Sequence, residues 1–396
     1  MTISISIDTA AALERFLHLA AIPGISGEEA EVADAVIVQL KAAGVPDGAI
    51  QIDDANRKTK NGGQIGNLIV HLPGTVAGPT TLLSAHLDTV PVCVGSQPLV
   101  DGDYVRSAVA TGLGADNRGG CAAILTAAIE LLHSGQPHPP LTLCWFVQEE
   151  IGLEGSRNLN RELLGPVDRA INFDGGNVTK MTIGATGGER MTINVTGLAA
   201  HAGVAPESGV SAIVIAAKAI ARLHDAGWLG LVRRPDGSCG TSNVGVFQGG
   251  DATNVIAPTV HLRAEARSHQ PATRAAISAA IQEAFHAAAA GVHNDAGVAG
   301  QVAIESQVDY EAFLLADDCP SVLAASAALR SIGCQAVVDV TNGGLDANWL
   351  YQHGIAAVTL GCGQREVHTV SEQLYLPDYF DACRVATLLA SGGWGE

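Results

Sequence analysis

Three apolar runs in this chain stop abruptly at groups that bind protons or cations. Leu82-Leu83-Ser84-Ala85 leads into His86-Leu87-Asp88, residues 141–147 lead into Gln148-Glu149-Glu150, and residues 169–173 lead into Asp174. Residues two apart on a strand share a face, so His86 and Asp88 deliver an imidazole and a carboxylate to the same side of a strand end. Between the first two runs lies GLGADNRGG, followed by CAAILTAAIELLHSG, an apolar helix ending at Gly135. Strand, helix, strand, with polar residues at the strand C-termini, is the pattern of an open α/β sheet whose site lies along one edge. A lone His-x-Asp says little as a motif. Its repetition by carboxylates at the ends of later strands is what gives it weight.

The remaining segments extend this pattern and then interrupt it. Thr9–Leu19 has helical spacing, and Ser26-x-x-Glu29 reads as a capping box opening a second helix that runs to about Ala43 and stops at Gly44. Residues 64–72 and 80–87 read as strands joined by a Pro73-Gly74 turn, and 92–111 reads as loop. From about Gly184 the character changes. MTINVTG, SNVGVFQGG, TVHLRAEARS and QVAIESQVDY are strands, and Val210–Ala226 and Thr273–Ala290 are alanine-rich helices. The α/β style returns afterwards, with helix 320–332, strand 336–340, a helix from Asp346, strand 355–360, the loop carrying His368 and a last helix from Pro377. The expected organisation is an α/β domain of residues 1–184 and 311–396, interrupted by an inserted α+β domain of residues 185–310.

Composition excludes several roles. At 396 residues the chain exceeds what one core usually fills. Its 40 acidic against 22 basic residues give a net charge of -18, which repels phosphate backbones and anionic lipid, so neither nucleic acid nor membrane is an expected partner. Eight scattered cysteines contain no C-x-x-C pair and no short-spaced disulfide framework, which fits a reducing, cytoplasmic setting. The N-terminus lacks a basic n-region and carries Asp8 and Glu14, unlike a signal peptide. No apolar run approaches the roughly 18 residues of a membrane span.

The polar residues after strands or in glycine-rich loops are His86, Asp88, Asp116, Glu149, Glu150, Asp174 and His368. Two imidazoles and several carboxylates, with no cysteine, suit two Zn²⁺ ions, or Mn²⁺ or Co²⁺, with one carboxylate bridging. Such a pair can activate water and polarise a carbonyl, provided a carboxylate that binds no metal serves as general base. Glu149-Glu150 supplies both kinds, because neighbouring residues leaving a strand are expected to point in different directions.

His86-x-Asp88, GADNRGG, QEEIGLEGS, NFDGG and EVHT resemble, in order and spacing, the di-zinc peptidases of the M20 family. The resemblance covers nearly the whole chain and is strongest toward the peptidase T-like (tripeptide aminopeptidase) branch, then the glutamate carboxypeptidases. It implies a zinc-peptidase-like mixed sheet flanked by helices, with an inserted dimerisation or lid domain. His86, Asp116 and Asp174 would hold one zinc; Asp116, Glu150 and His368 would hold the other. Asp88 would orient His86, and Glu149 would be the base. Position 174 is commonly Glu in the carboxypeptidase branch, and Asp is usual among the aminopeptidases and dipeptidases. The segment GLAAHAGVAPESGVSAI implies that His201 reaches the partner's active site in a homodimer formed through residues 185–310. Asn254 and Arg267 resemble binders of the substrate's backbone carbonyl or carboxylate, and Gly343 and Gly344 lie in a segment that resembles a substrate loop. The implied activity is hydrolysis of short peptides by a tripeptidase or aminopeptidase. A carboxypeptidase or an N-acyl amino acid amidohydrolase on the same machinery remains open, since the sequence leaves undecided which end of the substrate is gripped. A binding protein that has lost turnover would lack a ligand or the base, and none is missing.

Overall fold

A computed structural model describes residues 6–393. These residues form two compact units, one comprising the described residues up to Gly184, Leu314–Thr341 and those from Leu345 to residue 393, the other Ala185–Phe313 with Asn342–Gly344. Of the N-terminal segment discussed above, residues 1–5 lie outside the described residues.

The first unit is built on a nine-stranded sheet. Through its centre the order is Ile50–Ile52, Leu68–Leu72, Leu141–Phe146, Thr81–His86, Arg169–Phe173, Ala357–Leu360 and Lys180–Ala185. The Thr81–His86 strand is parallel to both of its neighbours, and Ala357–Leu360 is parallel to Arg169–Phe173. Four C-terminal ends therefore open on one edge of the sheet. Thr81–His86, Leu141–Phe146 and Ala357–Leu360 are buried at every position, which is why they read as continuous apolar runs rather than alternating ones. The Leu68–Leu72 and Thr81–His86 strands do not pair, despite the short Pro73-Gly74 connection, because Leu141–Phe146 inserts between them.

Helices seal the sheet. Tyr379, in Leu376–Ser391, is fully buried, stacks obliquely on Phe16 at 5.7 Å between ring centroids and donates its hydroxyl to the Ala12 carbonyl at 2.7 Å. The Ala115–Ser134 helix ends in Gly135 with left-handed backbone, as its sequence predicts. Its first turn lies hard against a strand end: a Cβ on Gly120 would stand 2.1 Å from the Phe173 carbonyl oxygen. Glycine there is a condition of close approach.

Two expectations need correction. The second helix begins at Ala30, not at Ser26, because the side chains of Ser26 and Glu29 are engaged by other parts of the fold instead of each other's backbone. The segment 92–111 is not all loop. Pro98–Asp101 and Tyr104–Ser107 are strands of a four-stranded sheet completed by Gln364–Arg365 and Gln373–Tyr375. That small sheet anchors both ends of the loop bearing His368, with Arg365 opposite Gln373 and Tyr375 opposite Tyr104.

The second unit is a five-stranded antiparallel sheet, ordered Gly230–Arg233, Cys239–Gly249, Thr259–Ser268, Gly187–Thr196 and Gln301–Tyr310. Helices Ala212–Asp225 and Pro271–Ala290 share one hydrophobic core with it, including Ile193, Leu262, Ile215 and Ile281. Strict alternation of burial along Thr259–Ser268 leaves His261, Arg263, Glu265 and Arg267 on the opposite face. Ser211 caps the first helix by accepting from the Val214 amide at 3.2 Å.

Candidate metal centre and active site

His86 is the last residue of its strand and is 1% exposed. Its Nδ1 faces Asp88, 3.1 Å from the carbonyl oxygen and 3.3 Å from Oδ1, which leaves Nε2 turned toward a group of carboxylates. Nε2 stands 3.2 Å from Asp116 Oδ1, 3.9 Å from Asp174 Oδ2 and 4.0 Å from Glu149 Oε2. A ligating histidine needs its second nitrogen held in this way, because that bond fixes both tautomer and ring orientation.

Asp88 does more than orient His86. Its Oδ1 accepts from the Glu149 amide at 3.0 Å, and its Oδ2 accepts from the Glu150 amide at 3.1 Å and the Ser26 hydroxyl at 2.6 Å. Burial alone would raise this carboxyl, but the hydrogen bonds from His86, Ser26 and Glu149 outweigh it and hold it below the ordinary carboxylate range. One fully buried carboxylate thus ties the end of one strand to the loop after the next.

That loop turns sharply. Gln148 has left-handed backbone (φ 54°), so Glu149 and Glu150 do not alternate as they would on an extended strand. Their carboxylates do not diverge as expected: each has an oxygen within 4.8 Å of the His86 ring nitrogen, and of the other's. Glu150 Oε1 lies 3.0 Å from His368 Nε2. Burial raises the Glu149 carboxyl well above its ordinary value, against the opposing pull of His86 and with the charge of Asp174 adding to the rise.

Asp116 occupies the middle. Although it falls inside the Ala115–Ser134 segment, its backbone and that of Asn117 are non-helical, and the Asp116-Asn117 peptide is cis. Its Oδ1 is 3.2 Å from His86 Nε2 and its Oδ2 is 3.3 Å from His368 Nε2, one oxygen for each imidazole. Asp174 closes the far side, its amide bonded to the Leu360 carbonyl at 2.9 Å; burial and the neighbouring Asp116 charge lift its carboxyl to about 7. His368, half exposed with φ 64°, is raised to about 10 by hydrogen bonds to Asp116 and Glu150, then restrained somewhat by burial.

The donor chemistry suits divalent cations. Among the described residues, His86 with Asp116 and Asp174, His86 with Glu149 and Glu150, and Asp116 with Glu150 and His368 each present ligand atoms within 4.8 Å of one another. Imidazole and carboxylate donors match Zn²⁺, Mn²⁺ or Co²⁺.

Four supporting residues were not evident in the sequence. Gln364 Nε2 lies 3.3 Å from both Asp116 Oδ1 and Asp174 Oδ1, a donor shared between the two carboxylates. Glu29 Oε1 accepts from the amides of Gly27 and Gln148, and Ser26 holds Asp88, although the Ser-x-x-Glu pattern of the two residues is that of a helix cap. Glu372 accepts the amide of Asp116 at 2.9 Å. Its only signal is a carboxylate four residues after His368, which by itself suggests nothing.

The other predicted residues belong to the second unit. His201 is exposed, its Nδ1 accepting from the Gly203 amide at 3.2 Å, and the Ala202 amide bonds the Asn254 carbonyl at 2.9 Å, so His201 and Asn254 lie on adjoining loops. Arg267 is already paired: its Nε and a terminal nitrogen reach both oxygens of Glu265, at 3.2 and 3.0 Å. Gly343 and Gly344 sit in the short stretch that joins this unit, where a Cβ on Gly344 would stand 2.5 Å from the Tyr310 ring.

The sequence and the fold are shared with known proteins. Residues 67–210 match peptidase family M28, and residues 183–293 match the M20 peptidase dimerisation domain. An uncharacterized Bacillus subtilis protein, YqjE, is 34% identical over 363 residues, spanning 91% of this chain and 92% of its own. Aminopeptidase PepT from Bacillus cereus superimposes with a TM-score of 0.84 at 32% identity, covering 98% of this chain and 99% of that one. A tripeptidase from Staphylococcus aureus gives 0.86 at 30% identity, covering 97% and 99%. Shorter matches include a probable carboxypeptidase from Aspergillus terreus, 33% identical over 51% of this chain and 47% of its own. A cluster of histidines and carboxylates on this fold, with full-length likeness to peptidases, leads to one conclusion: the chain belongs to the M20 family of metallopeptidases, in its peptidase T-like branch.

Proposed function

We propose that the protein is a tripeptidase or aminopeptidase that hydrolyses peptide bonds in short peptides at a two-metal centre. The observation that carries this reading is the division of Asp116 between the two imidazoles, 3.2 Å on one side and 3.3 Å on the other. A carboxylate so placed suits a bridging ligand. His86, Asp116 and Asp174 would hold one ion, and Asp116, Glu150 and His368 the other. Bound there, two Zn²⁺ ions, or Mn²⁺ or Co²⁺, would supply Lewis acidity and a water acidified toward neutral pH.

Glu149 is the general base. It takes the proton of the attacking water and passes it to the leaving amine nitrogen, a task suited to a carboxyl that burial makes more basic than usual. Asp88 keeps His86 in one tautomer and fixes the backbone of Glu149 and Glu150. His201 stabilises the oxyanion in the site of the partner protomer, within a homodimer formed through residues 185–310. Asn254 and Arg267 grip the substrate backbone, and the Gly343-Gly344 segment lets main chain approach it. The eight cysteines are unpaired, as a reducing cytoplasm would keep them, and no helix among the described residues is long and apolar enough to cross a membrane.

Hydrolysis of a free tripeptide, its N-acetylated form and its C-terminal amide by zinc-loaded protein, with products identified by mass, tests this directly. Cleavage of the amide but not the acetylated form, releasing the first residue, is the expected result. Cleavage of the acetylated form but not the amide would make the free carboxylate the handle and the enzyme a carboxypeptidase or deacylase.

A further inference from the structure

Glu372 is 2% exposed and lies in the loop between the short strands Gln364–Arg365 and Gln373–Tyr375. Its Oε2 accepts from the amides of Leu113 and Gly114 at 2.9 and 2.8 Å and from the Cys93 thiol at 3.1 Å; its Oε1 accepts from the Asp116 amide at 2.9 Å. Three main-chain donors converging on one anion form a nest. The nest exists only because the 112–114 segment can wrap the carboxylate: a Cβ on Gly112 would stand 2.9 Å from Oε2, and Gly114 has φ 81°. On the other side, the Glu372 amide donates to the Thr369 carbonyl at 3.2 Å, closing the turn that begins just after His368.

We propose that Glu372 is a positioning residue that sets the spacing between Asp116 and His368, and so the affinity of the centre for its second cation. The inference rests on the two-metal reading given above. Asp116 is carried by a non-helical stretch with no hydrogen-bonding ladder of its own, so its amide needs an outside acceptor. Glu372 provides one from the same loop that bears His368. A single buried side chain therefore joins the loops that deliver two ligands, neither of which it touches through its ligating atoms. Burial keeps the Cys93 thiol protonated, so it acts as a donor to this carboxylate.

The test is titration of metal-free protein with Co²⁺, followed by visible absorption and calorimetry, in wild type, Glu372→Gln, Glu372→Asp and Cys93→Ser. Wild type should bind two equivalents. Glu372→Gln should weaken the second equivalent about 10- to 100-fold and alter its absorption band, the usual scale for losing a residue that orients a ligand. Glu372→Asp should show a smaller loss, and Cys93→Ser, which leaves all three amide bonds intact, should bind as wild type. Circular dichroism establishes that each variant is folded; if Glu372→Gln is not, the aspartate variant decides. Unchanged binding of both equivalents, or an equal loss in Cys93→Ser, would overturn the role of Glu372 while leaving the centre standing. Fewer than two equivalents in wild type would overturn the centre and this inference together.

Discussion

The two units hold their polar residues in different ways. In the first, the groups at the strand ends are fixed from several sides: His86 is buried between Asp88 and three further carboxylates, and Asp88 itself takes bonds from Ser26, Glu149 and Glu150. In the second, His201 and Asn254 are exposed on loops, and Arg267 spends its guanidinium on Glu265 of its own strand. Buried strand ends provide the rigidity that catalysis requires, whereas loops provide surfaces that adapt to a substrate.

The largest expected effect lies in the rigid region. Glu149→Gln should lower kcat by about 10²- to 10⁴-fold while metal content stays near wild type, since it removes proton transfer and leaves the ligands in place. Retained turnover would remove Glu149 from its role. His201→Ala should cost about 10²-fold or more in kcat, the scale of one lost oxyanion donor, with little change in melting temperature. Mixing it with Glu149→Gln sharpens the contrast between the units. If His201 acts across a dimer, random exchange restores roughly a quarter of the wild-type sites, because only half the dimers are mixed and each has one complete site. No recovery in the mixture would show that His201 does not act in trans.

Arg267→Ala should act on substrate binding. It should raise KM about tenfold for peptides with a free carboxylate and much less for their amides, as loss of a bidentate partner does. Equal effects on both would mean that its bond to Glu265 is its whole role.

The smallest effect concerns pH. Burial, followed by the charge of Asp88, raises Glu29 to about 7 from an ordinary 4.5, and its Oε2 has no hydrogen-bond partner. The folded chain therefore keeps a proton that the unfolded chain releases, so this residue costs stability progressively as pH rises from 4.5 to 7, with the cost complete above that. Glu29→Gln keeps an acceptor for Gly27 and Gln148. It should gain a few degrees in melting temperature relative to wild type between pH 5 and 8. A gap that does not widen with pH would show that Glu29 is ionised throughout.

These regions also differ in how plainly they could be read beforehand. Thr81–His86 and Leu141–Phe146, buried on both faces, announce themselves as apolar runs, and a polar residue at the end of such a run must emerge at the sheet edge. The roles proposed for Asp116 and His368 rest on family likeness, since periodicity alone does not assign them. Local pattern misled at Ser26 and Glu29, which satisfy a helix-capping rule yet serve Asp88 and Gln148 across the fold. It also misled at Glu149 and Glu150, where the left-handed Gln148 cancels strand alternation. The four-stranded sheet around the His368 loop leaves no periodic pattern in the sequence because its strands are two to four residues long. Glu372 was invisible for a related reason: its partners are backbone amides more than 250 positions away.

In the proposed centre one carboxylate, Asp116, serves two metal ions. Counting bound zinc by elemental analysis and calorimetric titration in wild type, His368→Ala and Asp116→Ala tests it most directly. Two ions per chain in wild type, one in His368→Ala and loss of tight binding of both in Asp116→Ala is the predicted result. An Asp116→Ala protein that still binds one ion as tightly as wild type would contradict it.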